Sequence, residues 1–252
     1  MKLYGLIGYP LEHSFSEKFF SKKFSMEKIN AKYRLFPIDN INLFPKVLEN
    51  NPTLCGLNVT IPYKEKIIPL LDELDETAKE IGAVNVIKFT LQLPKGRESG
   101  KILLRGYNSD IVGFENSFRP LLKPHHNKAL ILGTGGASKG VAFVLRKMNI
   151  DYKFVSRTPS EGQFSYSELT SEILKEYTLI VNTTPTGTYP KVNECPNIPY
   201  SALTENHLLY DLIYNPEETL FLQKGKTQGA TIKNGLEMLH GQALEAWRIW
   251  NK

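Results

Sequence analysis

LILGTGGAS, residues Leu130–Ser138, is the stretch that decides the reading of this chain. Apolar residues from Ala129 to Leu132 form a strand that runs into Gly133, Thr134, Gly135 and Gly136. An amphipathic helix follows from Ala137 to about Met148. Gly133 permits a tight turn out of the strand, and Gly135 lets backbone approach a pyrophosphate with no Cβ in the way. The small Ala137 and Ser138 let the helix pack close to the strand, so that its N-terminal N–H groups point at phosphate. The third glycine position holds Ser138, so it is the strand–turn–helix context that gives the motif its weight. A second strand, Tyr152–Val155, ends at Ser156, Arg157 and Thr158. A site for NAD places a carboxylate at that point, for the ribose 2′-hydroxyl. Here the nearest acids are Asp151, at the wrong end of the strand, and Glu161, several residues late. A guanidinium beside two hydroxyls suits a 2′-phosphate, which selects NADP.

Working outward, 252 residues allow one large domain or two small ones, and 41% hydrophobic with 23% charged residues is ordinary for a globular protein. The net charge of +5 is spread rather than blocked. It suits an anionic cofactor and substrate, and no basic run argues for nucleic acid. Cys55 and Cys195 form no CxxC pattern and no disulfide framework, and Cys55 reads as a small buried hydrophobe. The apolar N-terminal run is broken by Gly8, Pro10, Glu12 and His13, so it is a strand and turn rather than a signal sequence. No window approaches the roughly 18 apolar residues of a membrane span. The expectation is a cytoplasmic protein with a small-molecule substrate, no nucleic-acid or membrane partner and no metal. Its oligomeric state is monomer or homodimer.

The first hundred residues alternate strand and helix signals. Strands are expected at Leu3–Gly8, Tyr33–Ile38, Gly56–Thr60 and Ala83–Phe89, and helices at Phe15–Ile29 and Asn42–Glu49. Two further helices are expected at Tyr63–Leu70 and Asp72–Glu80, divided near Pro69. The polar LPKGRESGK turn leads into a return strand at Ile102–Arg105, which reads as a hairpin. A helix then runs to about Leu122. After the glycine unit come strands at Leu179–Asn182, Leu208–Leu212 and Ala230–Ile232, then a long helix, Leu236–Trp250, with apolar residues at 3–4 spacing. Two α/β domains with a cleft between them is the economical architecture.

Hydride transfer needs a proton partner. None of the 12 tyrosines has a lysine four residues on, and two distant cysteines with five scattered histidines supply no zinc site. The first domain offers NVTIPYK, Asn58–Lys64, with Lys64 placed at a helix start, where the dipole favours a neutral amine. Polar residues also close two other strands, at Gly82–Asn85 and Gly106–Asp110. A Lys–Asp pair can hold and relay a hydroxyl proton, although a lone Lys or Asp at an element end is more often a surface charge.

Taken in order, the strings GYPLEHSFS, NVTIPYK, GAVNVI, GYNSDIVGF, GTGGASKG, Ser-Arg-Thr, NTTPTG, YDLIYNP and NGLEMLHGQALEAW resemble the shikimate dehydrogenase family over nearly the whole chain. The resemblance implies NADPH-dependent reduction of 3-dehydroshikimate to shikimate, on the way to aromatic amino acids. It implies that Ser14 and Ser16 hold the substrate carboxylate. Asn58, Thr60, Asn85, Tyr214 and Gln242 then contact the ring hydroxyls or the carboxylate, and Lys64 with Asp110 is the catalytic pair. Gly133, Thr134, Gly135, Gly136, Ala137, Ser156, Arg157 and Thr158 resemble the NADP site, and Thr183, Leu212 and Gly235 the nicotinamide side. The implied fold is α/β in two domains: residues 1–109 with 235–252 as the substrate domain, and 110–234 as a Rossmann-type NADP-binding domain, with the last helix returning to the first. The chain departs from the family pattern at Glu17, usually Pro, and at Val86 and Ser109, both usually Thr. Ser156 stands where the family usually has Asn. Bland readings stand beside these roles: Ser14 or Ser16 as a helix cap, Gln242 as a core-edge amide, Tyr214 as a turn residue. A quinate/shikimate dehydrogenase using NAD(P), or an inactive ligand-binding relative, is the alternative function.

Overall fold

A computed structural model describes residues 1–11, 14–92 and 100–252. The LPKGRES part of the expected hairpin turn, like Glu12 and His13 of the first motif, lies outside the described residues. The chain divides into two compact units, Met1–Ser109 with Ala243–Lys252, and Asp110–Gln242.

The first unit holds β1 (Lys2–Gly8), α1 (Phe15–Met26), β2 (Ala31–Pro37), α2 (Phe44–Asn50), β3 (Leu54–Val59), β4 (Glu73–Leu74), α3 (Glu76–Ile81), β5 (Val86–Gln92) and β6 (Lys101–Tyr107). Its six strands lie in the order β2-β1-β3-β5-β6-β4. The β2-β1-β3 part is parallel, whereas β5 runs antiparallel to both β3 and β6. One face is covered by an aliphatic cluster that includes Ile7, Leu57, Val59 and Ile67. The other carries an aromatic cluster of Tyr4, Phe20, Phe24, Tyr33 and Trp250.

The second unit holds α4 (Asp110–Phe118), β7 (Lys128–Leu132), α5 (Gly136–Lys147), β8 (Asp151–Ser156), β9 (Phe164–Ser165), α6 (Ser171–Glu176), β10 (Leu179–Asn182), β11 (Leu208–Asp211), α7 (Leu220–Thr227), β12 (Thr231–Lys233) and the start of α8 (Leu236–Asn251). All six strands are parallel, in the order β12-β11-β10-β7-β8-β9. From β7 the chain winds outward one way to β9 and the other way to β12, the order of a doubly wound dinucleotide-binding sheet. The switch point lies between β7 and β10. Both faces of β10 and β11 are buried, which is why these strands read as unbroken apolar runs rather than as alternation. Among the described residues no helix is long and apolar enough to cross a membrane.

Two expected helices differ. Residues 64–67 are turns, and only Ile68–Leu70 closes a short 3-10 turn. The Lys64 carbonyl, which a helix would give to residue 68, instead accepts the Val84 N–H at 2.8 Å. Lys64 therefore stands in a turn and not at a helix start. In the expected Asp72–Glu80 helix, Asp72 turns away to accept the Leu104 N–H at 2.9 Å and to pair with Lys101. The helix begins only after Asp75, which caps it through the Thr77 N–H. The last helix also divides differently. Its first turns pack on α4, where Gly113 lies so close that a Cβ there would stand 2.4 Å from the Met238 carbonyl oxygen. Residues up to Gln242 therefore stay with the second unit. Helices α6 and α7 were not expected from the sequence, and Cys55 is half-buried rather than buried.

Candidate active site

At the switch point of the second unit the strand β7 ends at Leu132, and the chain turns through Gly133 with φ +101°. A side chain is excluded there: a Cβ would meet Thr184 Cγ2 at 2.9 Å and Thr183 Oγ1 at 3.0 Å. Gly135 differs. It precedes α5 with extended backbone, and a Cβ on it would meet nothing within 4 Å. Nothing in the protein requires that glycine, so the space beside it is open for a ligand at the N-terminus of a 12-residue helix. Gly136 and Ala137 form the first turn of that helix. Ser138 is buried, its hydroxyl donating to the Gly135 carbonyl at 2.6 Å, so the residue in the third glycine position closes the turn.

A cavity of about 820 Å³ opens here and brings together Gly133, Thr134, Gly135, Ser156, Arg157, Thr158 and Thr183. Ser156 is buried and accepts the Thr158 N–H at 3.2 Å, which shapes the loop that carries the exposed Arg157 guanidinium. Among the residues lining this cavity Glu194 alone is acidic, and it pairs with Lys191 at 3.5 Å. Asp151 sits at the far end of β8. The donor set is thus cationic and hydroxylic where the ribose of a dinucleotide would lie, which fits NADP and its 2′-phosphate. The sequence reading missed Tyr166 and Thr184 as cavity residues. Burial raises the Tyr166 phenol and the nearby Arg157 charge partly opposes that. No local motif marks Tyr166, which a capped turn after β9 delivers to the cavity.

The loops after β10 and β11 are tied by a buried carboxylate. Asp211 accepts bonds from Asn182 Nδ2 at 3.0 Å, the Ile213 N–H at 3.1 Å and Thr219 Oγ1 at 2.6 Å. Burial outweighs these bonds and raises its pKa to about 6. Asn182 Oδ1 in turn holds Thr184 through its N–H and its hydroxyl. Thr183, between them, donates from its hydroxyl to the Leu132 carbonyl at 2.7 Å. Leu212 and Gly235 do not line the cavity. They touch each other, with a Cβ at Gly235 lying only 2.1 Å from the Leu212 carbonyl oxygen. Tyr214, exposed after β11, and Gln242, buried on α8, also belong to this unit, as does Asp110 in the first turn of α4.

In the first unit the structure brings Ser16, Asn58 and Asn85 into one polar network. Tyr33, which the sequence reading did not single out, donates from its hydroxyl to Asn58 Oδ1 at 2.7 Å, and the Ser16 side chain neighbours the same hydroxyl. Asn58 Nδ2 donates to the Asn85 carbonyl at 3.3 Å. The Asn85 side chain is held by Ser109, whose N–H donates to Asn85 Oδ1 at 2.7 Å. These bonds join residues far apart in sequence, so no local signal shows them. Ser14 caps α1 by accepting the Glu17 N–H. That uses an oxygen lone pair and leaves the Ser14 O–H able to donate to a ligand. Thr60 follows β3, with its N–H on the Ile7 carbonyl at 2.9 Å, and Lys64 is half-buried in the turn beyond it. Among the described residues no group of three or more His, Cys, Asp or Glu is placed to hold a metal.

Comparison with known proteins places this geometry. The model of the shikimate dehydrogenase substrate binding domain matches residues 6–87. A Methanococcus vannielii protein named shikimate dehydrogenase (NADP(+)) is 37% identical, over 98% of this chain and 90% of its own. The crystal structure of shikimate dehydrogenase from Aquifex aeolicus superposes with a TM-score of 0.83 at 35% identity, covering 100% of this chain and 92% of that one. The enzyme from Thermus thermophilus, solved in complex with NADP(H) and shikimate, gives 0.82 at 28% identity, over 99% and 93% of the two chains.

Proposed function

We infer the reaction from one premise: the chain belongs to the shikimate dehydrogenase family. It is an NADP-dependent oxidoreductase that reduces 3-dehydroshikimate to shikimate and catalyses the reverse oxidation. The observation that carries the cofactor is the switch-point cavity, where Gly135 leaves room beside a helix N-terminus and Arg157, Ser156 and Thr158 replace the carboxylate an NAD site would need. When bound, NADPH supplies the hydride that adds to the substrate carbonyl carbon.

The protein's own residues manage charge and proton. Ser14 and Ser16 lie at the start of α1, where hydroxyl donors and the positive end of the helix dipole suit the substrate carboxylate. Asn58, Thr60 and Asn85, with Tyr214 and Gln242, offer amides and hydroxyls to the ring hydroxyls or the carboxylate. We assign to Lys64, as ammonium, the proton delivered to the oxygen that becomes the alcohol. Asp110 is the carboxylate of that pair, and the titration of the two belongs to them jointly. Gly133–Ala137 hold the pyrophosphate, and Thr183, Leu212 and Gly235 shape the nicotinamide side. The test is NADPH oxidation followed at 340 nm with 3-dehydroshikimate, and NADH in parallel. Turnover with NADPH and little with NADH is expected. Turnover mainly with NADH would overturn the cofactor reading, and none with either would overturn the reaction.

A further inference from the structure

Tyr33 lies in β2 opposite Tyr4 of β1, and Asn58 lies in β3 opposite Leu6 of the same strand. Two strand spacings, about 9–10 Å, separate β2 from β3. The phenol spans that distance across β1 and ends on Asn58 Oδ1 at 2.7 Å. The ring is 6% exposed and stacks on Phe20 with centroids 4.9 Å apart and planes 13° apart. A phenylalanine would fill this aromatic cluster equally well, and a buried hydroxyl is costly unless it is bonded. The packing therefore gives no reason for the oxygen, and the hydrogen bonds do.

We propose that Tyr33 is a positioning residue for substrate: its hydroxyl orients the Asn58 amide that meets the ligand beside the Ser16 hydroxyl. The proposal rests on the reading above that Ser16 and Asn58 hold substrate. With Oδ1 taken by Tyr33 and one amide hydrogen on the Asn85 carbonyl, Asn58 cannot flip, and it presents an N–H to an acceptor oxygen of the ligand. The bond to Asn58 fixes where the Tyr33 rotor rests, and the hydrogen of the neighbouring Ser16 hydroxyl can turn onto a carboxylate while Tyr33 keeps Asn58 in place. Burial raises the Tyr33 phenol well above its ordinary value, so the group remains a donor across the working pH range.

The test is steady-state kinetics on the full chain with Tyr33→Phe, Asn58→Ala, Ser16→Ala and the double variant Tyr33→Phe/Asn58→Ala, varying 3-dehydroshikimate and NADPH separately. The loss of one orienting bond predicts that Tyr33→Phe raises the KM for 3-dehydroshikimate about 10-fold and leaves the KM for NADPH within about 2-fold. On the Asn58→Ala background the same change adds less than about 2-fold, because the amide it orients is gone. If Asn58→Ala and Ser16→Ala raise the substrate KM but Tyr33→Phe does not, the positioning role is wrong and the substrate site stands. If none of the three raises it, the substrate-site reading itself fails. A full Tyr33→Phe effect on the Asn58→Ala background would make Tyr33 merely structural.

Discussion

Alanine at Gly133 and alanine at Gly135 are the same chemical change two residues apart, yet the structure predicts opposite consequences. At Gly133 the backbone has φ +101°, and the new Cβ would press on Thr184 Cγ2 at 2.9 Å and Thr183 Oγ1 at 3.0 Å. Holding a non-glycine residue in that region costs about 1–3 kcal/mol before the contacts are counted. At Gly135 the backbone is already extended, φ −76° and ψ −179°, and the Cβ meets no protein atom. The ligand-free protein should tolerate Gly135→Ala within about 0.5 kcal/mol, the difference between glycine and alanine at a helix cap offsetting the gain from a stiffer unfolded chain. On the proposed assignment of Gly135 to the pyrophosphate, the Cβ then stands where that group approaches. Losing one charge-assisted bond from backbone N–H to phosphate costs about 1.5–3 kcal/mol, roughly 10–100-fold in NADPH affinity. Thermal unfolding with and without NADPH, with titration of bound NADPH by fluorescence, separates the two. Gly133→Ala should lower the Tm of the free protein by several degrees, at about 2–4 °C per kcal/mol. Gly135→Ala should leave that Tm nearly unchanged and abolish most of its rise with NADPH. Unaltered NADPH affinity in Gly135→Ala would refute the reasoning.

Arg157→Ala should weaken NADPH by about 10–100-fold and leave NADH nearly unaffected, since only NADPH carries the 2′-phosphate; equal weakening in a competition titration would remove Arg157 from that phosphate. Lys64→Ala should lower kcat by about 10²-fold or more with a smaller change in substrate KM, and a change confined to KM would make Lys64 an anchor rather than a proton donor. Asp211 carries a pH signature in stability. Its folded pKa is raised by burial to about 6, above the unfolded value near 3.8, so the folded state holds a proton that the unfolded state releases. Its contribution is fully present below the unfolded pKa and is lost as pH rises through about 6, a swing of about 3 kcal/mol. Urea unfolding of the wild type and Asp211→Asn should show their stability difference shrinking by that order between pH 4 and pH 7. A flat difference would mean that the bonds from Thr219, Asn182 and Ile213 cancel the effect of burial.

The Asp211 case also shows why part of the site was hidden from sequence. Asn182, at the end of β10, reaches the Asp211 carboxylate because β10 and β11 are neighbours in the sheet, and Thr219 reaches it from the loop after β11. Tyr33 and Asn58 meet for the same reason, across β1. Tyr166 enters the nucleotide cavity through the pairing of β9 with β8. Each of these residues is unremarkable in its own window, and its neighbour is supplied by strand order.

What the sequence determined by itself is what short-range chemistry dictates. The glycine turn after β7, the helix it opens, the Ser-Arg-Thr at the end of β8 and the apolar runs of the parallel strands depend on residues within a few positions of one another, so they are legible in one dimension. Where a long-range bond competes with a local one, only the tertiary structure decides. Residues 63–70 carry helix-compatible residues, but the Val84 N–H takes the Lys64 carbonyl and stops the helix. Asp72 leaves a helical window for Leu104 and Lys101. The last helix has uniform spacing from end to end, yet the close approach at Gly113 keeps its first turns with the second unit. In each case a backbone group or side chain can satisfy only one partner well, and the partner that wins lies across the fold.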